Sequence, residues 1–232
     1  ITSKDIIVID KAITLDGNGK KLTSTAGRAI NVETDGKVVI SNLTINAGER
    51  AINIINKVAT VELNKVTATA TNNAVMIATS AGAVKLTIND SDLTGLAVVN
   101  VSGAGSQVEI NDTKITNVDN LNGQIFGAIT VWSSAAGATV SVSGGEIVVA
   151  DDSHKAIVFP ADATVTGVDD VKYIVATIGD GGYYTLQEAI NAAKAGQTIT
   201  LIRDITSKDI IVIDKAITLD GNGKKLTSTA TR

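Results

Sequence analysis

Three carboxylates at matching points of the chain are the first residues whose type and spacing could do chemistry. Asp90 and Asp92 lie in NDSD (residues 89–92), and Asp112 lies in NDT (residues 111–113). Each follows a short alternating apolar stretch, so stacking those stretches would bring the carboxylates within one strand spacing. Like charges held that close raise a pKa or hold a hard cation; the competing reading is a set of solvated turn residues. Asp169, Asp170 and Asp180, the last in GDGG, add oxygen donors near an apparent junction. With almost no arginine beside them, both groups are expected to suit Ca2+ as a weak, stabilising ligand. DGNGK, at residues 16–20 and again at 220–224, lacks the alternating ligands and closing Glu of an EF-hand loop. It reads as a Gly-rich turn between ITL and KKL.

Catalytic groups are scarce. The chain has one histidine, His154 in DDSHK, and four arginines, Arg28, Arg50, Arg203 and Arg232. A lone loop histidine reads as solvated rather than as a general base. No cysteine is present, which removes disulfides, thiol nucleophiles and thiolate metal sites. Trp132, alone on a strand, could stack on a sugar or simply pack. The threonines Thr67, Thr69 and Thr71 do not recur at the same sequence phase in neighbouring repeats, so an ice-binding row is not expected.

A short repeat must position these residues. Ala-led alternating stretches start at Ala29, Ala51, Ala74, Ala97, Ala128 and Ala156, in steps of 22 to 31 residues. A second strand follows in each step (Val38, Ala59, Val84, Gln107, Ala138, Ala163) and a third in most (Leu43, Lys65, Asp92, Lys114, Glu146). Three short strands per step with no helix between them is the pattern of a right-handed parallel β-helix, an all-β solenoid whose turns bury a continuous interior only by stacking. Asn64, Asn89 and Asn111 recur at one phase and read as corner residues, both for left-handed backbone and for a stacked amide ladder. Asn42, Asn89, Asn100 and Asn111 also match N-x-Ser/Thr, which corner chemistry explains as well. The longer steps leave room for loops at Asp119–Gln124 and Asp151–Lys155. Pro160, the only proline, marks the end of the regular stack, since it cannot donate to a ladder.

Composition agrees. Hydrophobic residues are 44% of the chain and aromatics only 3%, with 21 glycines, so the interior is aliphatic. The net charge of −4, with no basic patch, argues against a nucleic-acid partner. No apolar run is long enough to span a bilayer.

A longer period overlies the short one. Residues 1–26 recur unchanged as residues 205–230, 204 residues later, and identity fails only at Gly27 against Thr231. This implies either a tandem array of nearly identical modules, of which this is an out-of-register fragment, or a deliberately duplicated boundary. Just before the second copy stands the single convincing helix. Thr185-Leu-Gln-Glu188 forms a capping box, Leu186, Ala189, Ile190 and Ala193 share a face, and Gly196 is expected to stop it.

YTLQEAINAAKAGQTITLIRDI followed by KAITLDGNGKKL resembles the opening of pectate-lyase-like right-handed parallel β-helices, especially modules of bacterial surface proteins. The resemblance is close over Tyr184–Leu226 and extends to residues 27–168 by pattern only. It implies a short helix, near residues 185–195, that caps a solenoid. Lyases of that fold use calcium ligands with an arginine or lysine base, and hydrolases grouped aspartates with a histidine. None of those motifs can be placed here residue by residue.

The expected organisation is residues 1–168 as solenoid turns and 169–232 as a cap plus the first turn of the next repeat. The expected function is non-enzymatic: a structural or adhesive module, extracellular and at the cell surface, whose partner is another copy of itself, joined head to tail into filaments. The interface expected for that contact is Ile6, Ile7, Val8 and Ile9 against Leu186, Ile190, Ile199, Leu201 and Ile202. The alternative is a β-helix that binds or cleaves a surface polysaccharide. No cofactor beyond calcium is expected.

Overall fold

The computed structural model describes residues 1–118, 126–149, 155–167, 175–179 and 181–230. Contacts divide the chain into two units, residues 1–150 with 154–171, and residues 151–153 with 172–232.

The first unit is a parallel β-solenoid. A narrow sheet stacks Ile7–Ile9, Arg28–Val32, Arg50–Ile54, Asn73–Ile77, Val99–Val101, Gly127–Val131 and Lys155–Val158 in chain order. These are the Ala-led stretches and their preceding duplicate. A broad sheet has two branches that meet on the long strand Lys37–Asn46. One runs through Thr60–Asn64, Lys85–Asn89, Gln107–Asn111, Thr139–Ser143 and Thr164–Thr166. The other runs through Thr67–Thr69, Asp92–Gly95, Lys114–Asn117 and Glu146–Val148.

Burial alternates along the broad-sheet strands, whereas Arg28–Val32, Arg50–Ile54 and Gly127–Val131 of the narrow sheet are buried at nearly every position. Every second side chain points inward, and in-register parallel pairing stacks like on like. Leu15, Ile40, Leu63, Ile88 and Ile110 follow one another in register, and the last four are buried. On the opposing sheet Ile7, Ile30, Ile52, Val75, Val99 and Ile129 do the same. Each such side chain contributes about 1.5–3 kcal/mol on leaving water, and its branched shape suits a stack of identical neighbours. The stack ends at Lys155–Val158 and Thr164–Thr166, the edge strands on either side of Pro160.

The corners differ from expectation in one detail. Asn64, Asn89 and Asn111 are the last residues of their strands and pair with each other in register. The left-handed residue is the next one: Lys65, Asp90 and Asp112 have φ of 54°, 49° and 46°, and Asn42 and Gly144 hold the same place. A parallel strand keeps its ladder to its last residue, so the turn must begin one position later. For Lys65 that conformation costs about 1–2 kcal/mol. Its N–H, bonded at 3.0 Å to the carbonyl of Asn89 in the next turn, helps to hold it.

In the second unit, Ala176–Ile178 pairs antiparallel with both Gly181–Tyr183 and Thr198–Leu201, and Thr198–Leu201 pairs in parallel with Thr218–Asp220. The helix Leu186–Ala192 starts at the expected capping box. Glu188 N–H donates to Thr185 Oγ1 at 3.0 Å, and Thr185 N–H to Glu188 Oε2 at 3.1 Å. It ends at Ala192, short of Gly196, because Ala193 turns extended and Lys194 N–H donates to the side chain of Gln197. The core of this unit is Ala176, Leu186, Ala189, Ile190, Ala193, Ile199 and Leu201. Ile205, Ile211 and Ile217 of the second copy pack against it.

Candidate functional site

Two local features of the duplicated segment are the same in both places. Thr2 and Ser3 pair with Thr23 and Ser24, and Thr206 and Ser207 pair with Thr227 and Ser228. The same Asx turn closes DGNG: Asn18 N–H donates to Asp16 Oδ1 at 2.8 Å and Asn222 N–H to Asp220 Oδ1 at 2.9 Å. This turn is therefore set by its own sequence.

Its edges are used in opposite ways. In the first copy the edge toward later residues is covered: Ile7–Ile9 lies on Ile30–Val32, and Ile13–Asp16 on Val38–Ser41. Among the described residues of that unit, no strand covers the other edge of Ile7–Ile9 or Ile13–Asp16, and Ile7 and Ile13 are exposed. In the second copy the strand Thr198–Leu201 covers that edge, and among the described residues no strand covers the edge toward later residues. Leu22 is 5% exposed and its duplicate Leu226 42%; Ile9 is 8% exposed and its duplicate Ile213 52%. A groove of about 370 Å³ opens on the second copy between Ile210, Ile211, Leu226, Ser228 and Ala230. At the matching place on the first copy sits the turn Arg28–Asn46, with Ile30 on Ile7, Ile45 on Leu22 and the Arg28 carbonyl accepting from Ser24 Oγ at 3.1 Å.

Of the expected interface residues, Ile6, Ile7 and Val8 are exposed, whereas Ile9 is buried. Leu186, Ile190, Ile199 and Leu201 are buried in their own unit and Ile202 is half-buried. The cap face expected to receive Ile6–Ile9 of a neighbour is thus already filled by the duplicate of that segment.

The carboxylates are only partly brought together. Asp90 and Asp112 hold the same exposed corner of consecutive turns. Asp92 lies two residues further on, in register with Lys114, which in turn faces Glu146. Among the described residues no three acidic or histidine side chains are grouped closely enough to share a metal. His154, Asp169, Asp170, Asp180 and loop residues 119–124 lie outside the described residues.

The amide ladder is present. Asn111 Nδ2 donates to Asn89 Oδ1 and Asn89 Nδ2 to Asn64 Oδ1, both at 2.8 Å. Asn64 Nδ2 then donates to Glu62 Oε1 at 3.0 Å. Lys37, 2.9 Å from Glu62, and then Asn64 hold the Glu62 carboxyl below its ordinary pKa. Asn89→Ala removes the middle rung and takes the hydrogen-bond partner from Asn64 Oδ1 and from Asn111 Nδ2, both on half-buried residues. It is expected to cost about 1–3 kcal/mol in thermal denaturation; a change below about 0.5 kcal/mol would make the ladder a bystander.

Two surface features escaped the sequence, and a third, at Trp132, gained a partner that the sequence did not show. Thr69, Thr94 and Thr116 stand in one register column, continued by Asn46 and Thr23. A threonine row does recur, then, at Thr69, contrary to the expectation from sequence phase. Arg28 stacks on Arg50, whose Nε is buried without a hydrogen-bond acceptor among the described residues. Burial, and then the like charge of Arg28, pull Arg50 below its ordinary pKa. The recurring RAIN at residues 28–31 and 50–53 was the available signal. Trp132 is half-exposed and meets Phe126 edge-on, with ring centroids 5.8 Å apart. The chain matches no family model, no curated protein and no solved structure.

Proposed function

We propose that this chain is a non-catalytic structural module of an extracellular, bacterial cell-surface protein, related to pectate-lyase-like solenoids, whose 204-residue periods continue end to end. The single observation that supports this is the complementary use of the duplicate: covered on one edge at residues 1–26, on the other at 205–230. In a continuous array both edges of that turn would be covered. In an isolated chain each copy keeps one bare apolar edge, and such edges recruit another chain. The contact is head to tail, hence heterologous and open to filaments.

A second reading, binding or cleavage of a surface polysaccharide, is favoured by the half-exposed Trp132, edge-on to Phe126, on whose ring a sugar can stack.

Sedimentation of the chain should show mass growing with concentration, while a chain ending at Val168 stays monomeric. Incubation with acidic polysaccharides should release no unsaturated or reducing ends. A full chain that remains monomeric at high concentration sinks the assembly reading. Turnover lost on Asp90→Ala or Asp112→Ala moves the protein to the second reading. Repeating the sedimentation and melts with calcium and with chelator tests the cation expectation; results unchanged by either remove calcium.

A further inference from the structure

We infer that the molecules join by segment exchange: residues 205–230 of one copy take the place of residues 1–26 on the solenoid of a second copy. This rests on the head-to-tail reading and specifies its interface. The acceptor is the turn Arg28–Asn46, and its fit to the segment is visible within one molecule, because residues 1–26 are docked on it with Ile7 on Ile30, Ile9 on Val32 and Leu22 on Ile45. The second copy presents the same side chains in the same turn, with the matching groove between Ile211 and Leu226 open.

Exchange replaces one set of contacts by a chemically identical set, so the seam itself is neutral. What changes is that two ordered, half-covered turns become one turn covered on both edges and one released segment. The bare edge at Ile7 and Ile13 and the bare edge at Ile213 and Leu226 both disappear. The released segment regains chain entropy of about 1–2 kcal/mol per residue. Swapping of identical elements is a low-cost route to association for this reason.

The alternative, docking the second copy flat on the first, stacks the segment on itself in register. Lys4 would face Lys208, Asp5 face Asp209, Asp10 face Asp214 and Lys11 face Lys215, with Asp16, Lys20 and Lys21 likewise facing their own duplicates. Like charges directly opposite across a strand pair are destabilising. On Arg28–Asn46 three of these residues meet neutral partners: Asp16 lies on Ser41, Lys20 on Leu43 and Lys21 on Thr44.

The chain has no cysteine, so engineered pairs report the contact cleanly. Register neighbours across one parallel spacing lie within disulfide range. Three full-length double variants are compared under oxidising conditions: Thr44→Cys with Lys225→Cys, Thr44→Cys with Lys21→Cys, and Lys21→Cys with Lys225→Cys. The expected result is a ladder of linked dimers and higher multimers from the first pair. From the second pair the expected result is an internal link that pins residues 1–26 in place and keeps the linked chains monomeric. From the third, no ladder is expected. A ladder from the third pair instead of the first would overturn exchange in favour of flat stacking and leave head-to-tail assembly standing. An internal link from the first pair would mean the chain exchanges with itself, which overturns the second-copy acceptor. Monomers from all three, with monomeric sedimentation, would overturn exchange and the assembly reading together.

Discussion

Ile88→Ala is expected to lower the melting temperature of the chain by roughly 6–12 °C. Ile88 is fully buried midway along the broad sheet, in register between Leu63 and Ile110. Deleting three carbons there removes transfer free energy and leaves a cavity, because the neighbouring turns are held at a fixed strand spacing and cannot close over it. Such changes cost about 2–5 kcal/mol. Taking about 3 kcal/mol, and about 2–4 °C per kcal/mol for a chain of this size, gives the stated range. Thr87→Ala, one residue away on the outer face, is the control and should move stability by no more than about 0.5 kcal/mol. Equal effects from the two would mean that the inward column does not hold the solenoid together.

Leu22→Ala and Leu226→Ala are the same substitution in the same local sequence, and their effects should separate. Leu22 is covered by Ile45, whereas Leu226 is open to solvent. In dilute monomer, Leu22→Ala is expected to cost about 2 kcal/mol, near the low end for a buried leucine because it has a neighbouring turn on one side only. Leu226→Ala should cost about 0.5 kcal/mol or less. Assembly reverses the order. If residues 205–230 dock on a second copy, Leu226 acquires the cover that Leu22 had. Its loss then forfeits about 1.5–3 kcal/mol of burial, weakening association by about 10- to 100-fold at about 1.4 kcal/mol per decade. Leu22→Ala should instead favour assembly, since it loosens the segment that must leave. Melting at low concentration and sedimentation at high concentration read the two effects separately. Matching penalties in both experiments would show that the duplicates share one environment.

Much of the solenoid was legible because its determinants are local and periodic. The Ala-led strands, the second and third strands of each step, the Asn64–Asn89–Asn111 ladder and the Thr185–Glu188 capping box all depend on which residue types recur at which spacing. The misplaced corner at Asn64, Asn89 and Asn111 shows the limit: periodicity locates the turn, but the ladder decides which residue of it goes left-handed. The third-strand columns show another. Steps of 22 to 31 residues carry their extra length in the loops, so sequence phase hid that Thr69, Thr94 and Thr116 align and that Asp92 faces Lys114 rather than joining Asp90 and Asp112.

The duplicate separates the two kinds of information most cleanly. Its sequence alone determines its turn: the Asx turn at DGNG and the pairing of its first and last residues are the same at 1–26 and 205–230. Nothing in that sequence says which edge is covered, because both copies have the same residues. Only the tertiary structure decided that Leu22 is buried and Leu226 is not, and that the cap's Leu186, Ile190, Ile199 and Leu201 are already occupied. The physical reason is that a solenoid turn buries its apolar face through its neighbours rather than through itself, so burial belongs to the stack and not to the segment.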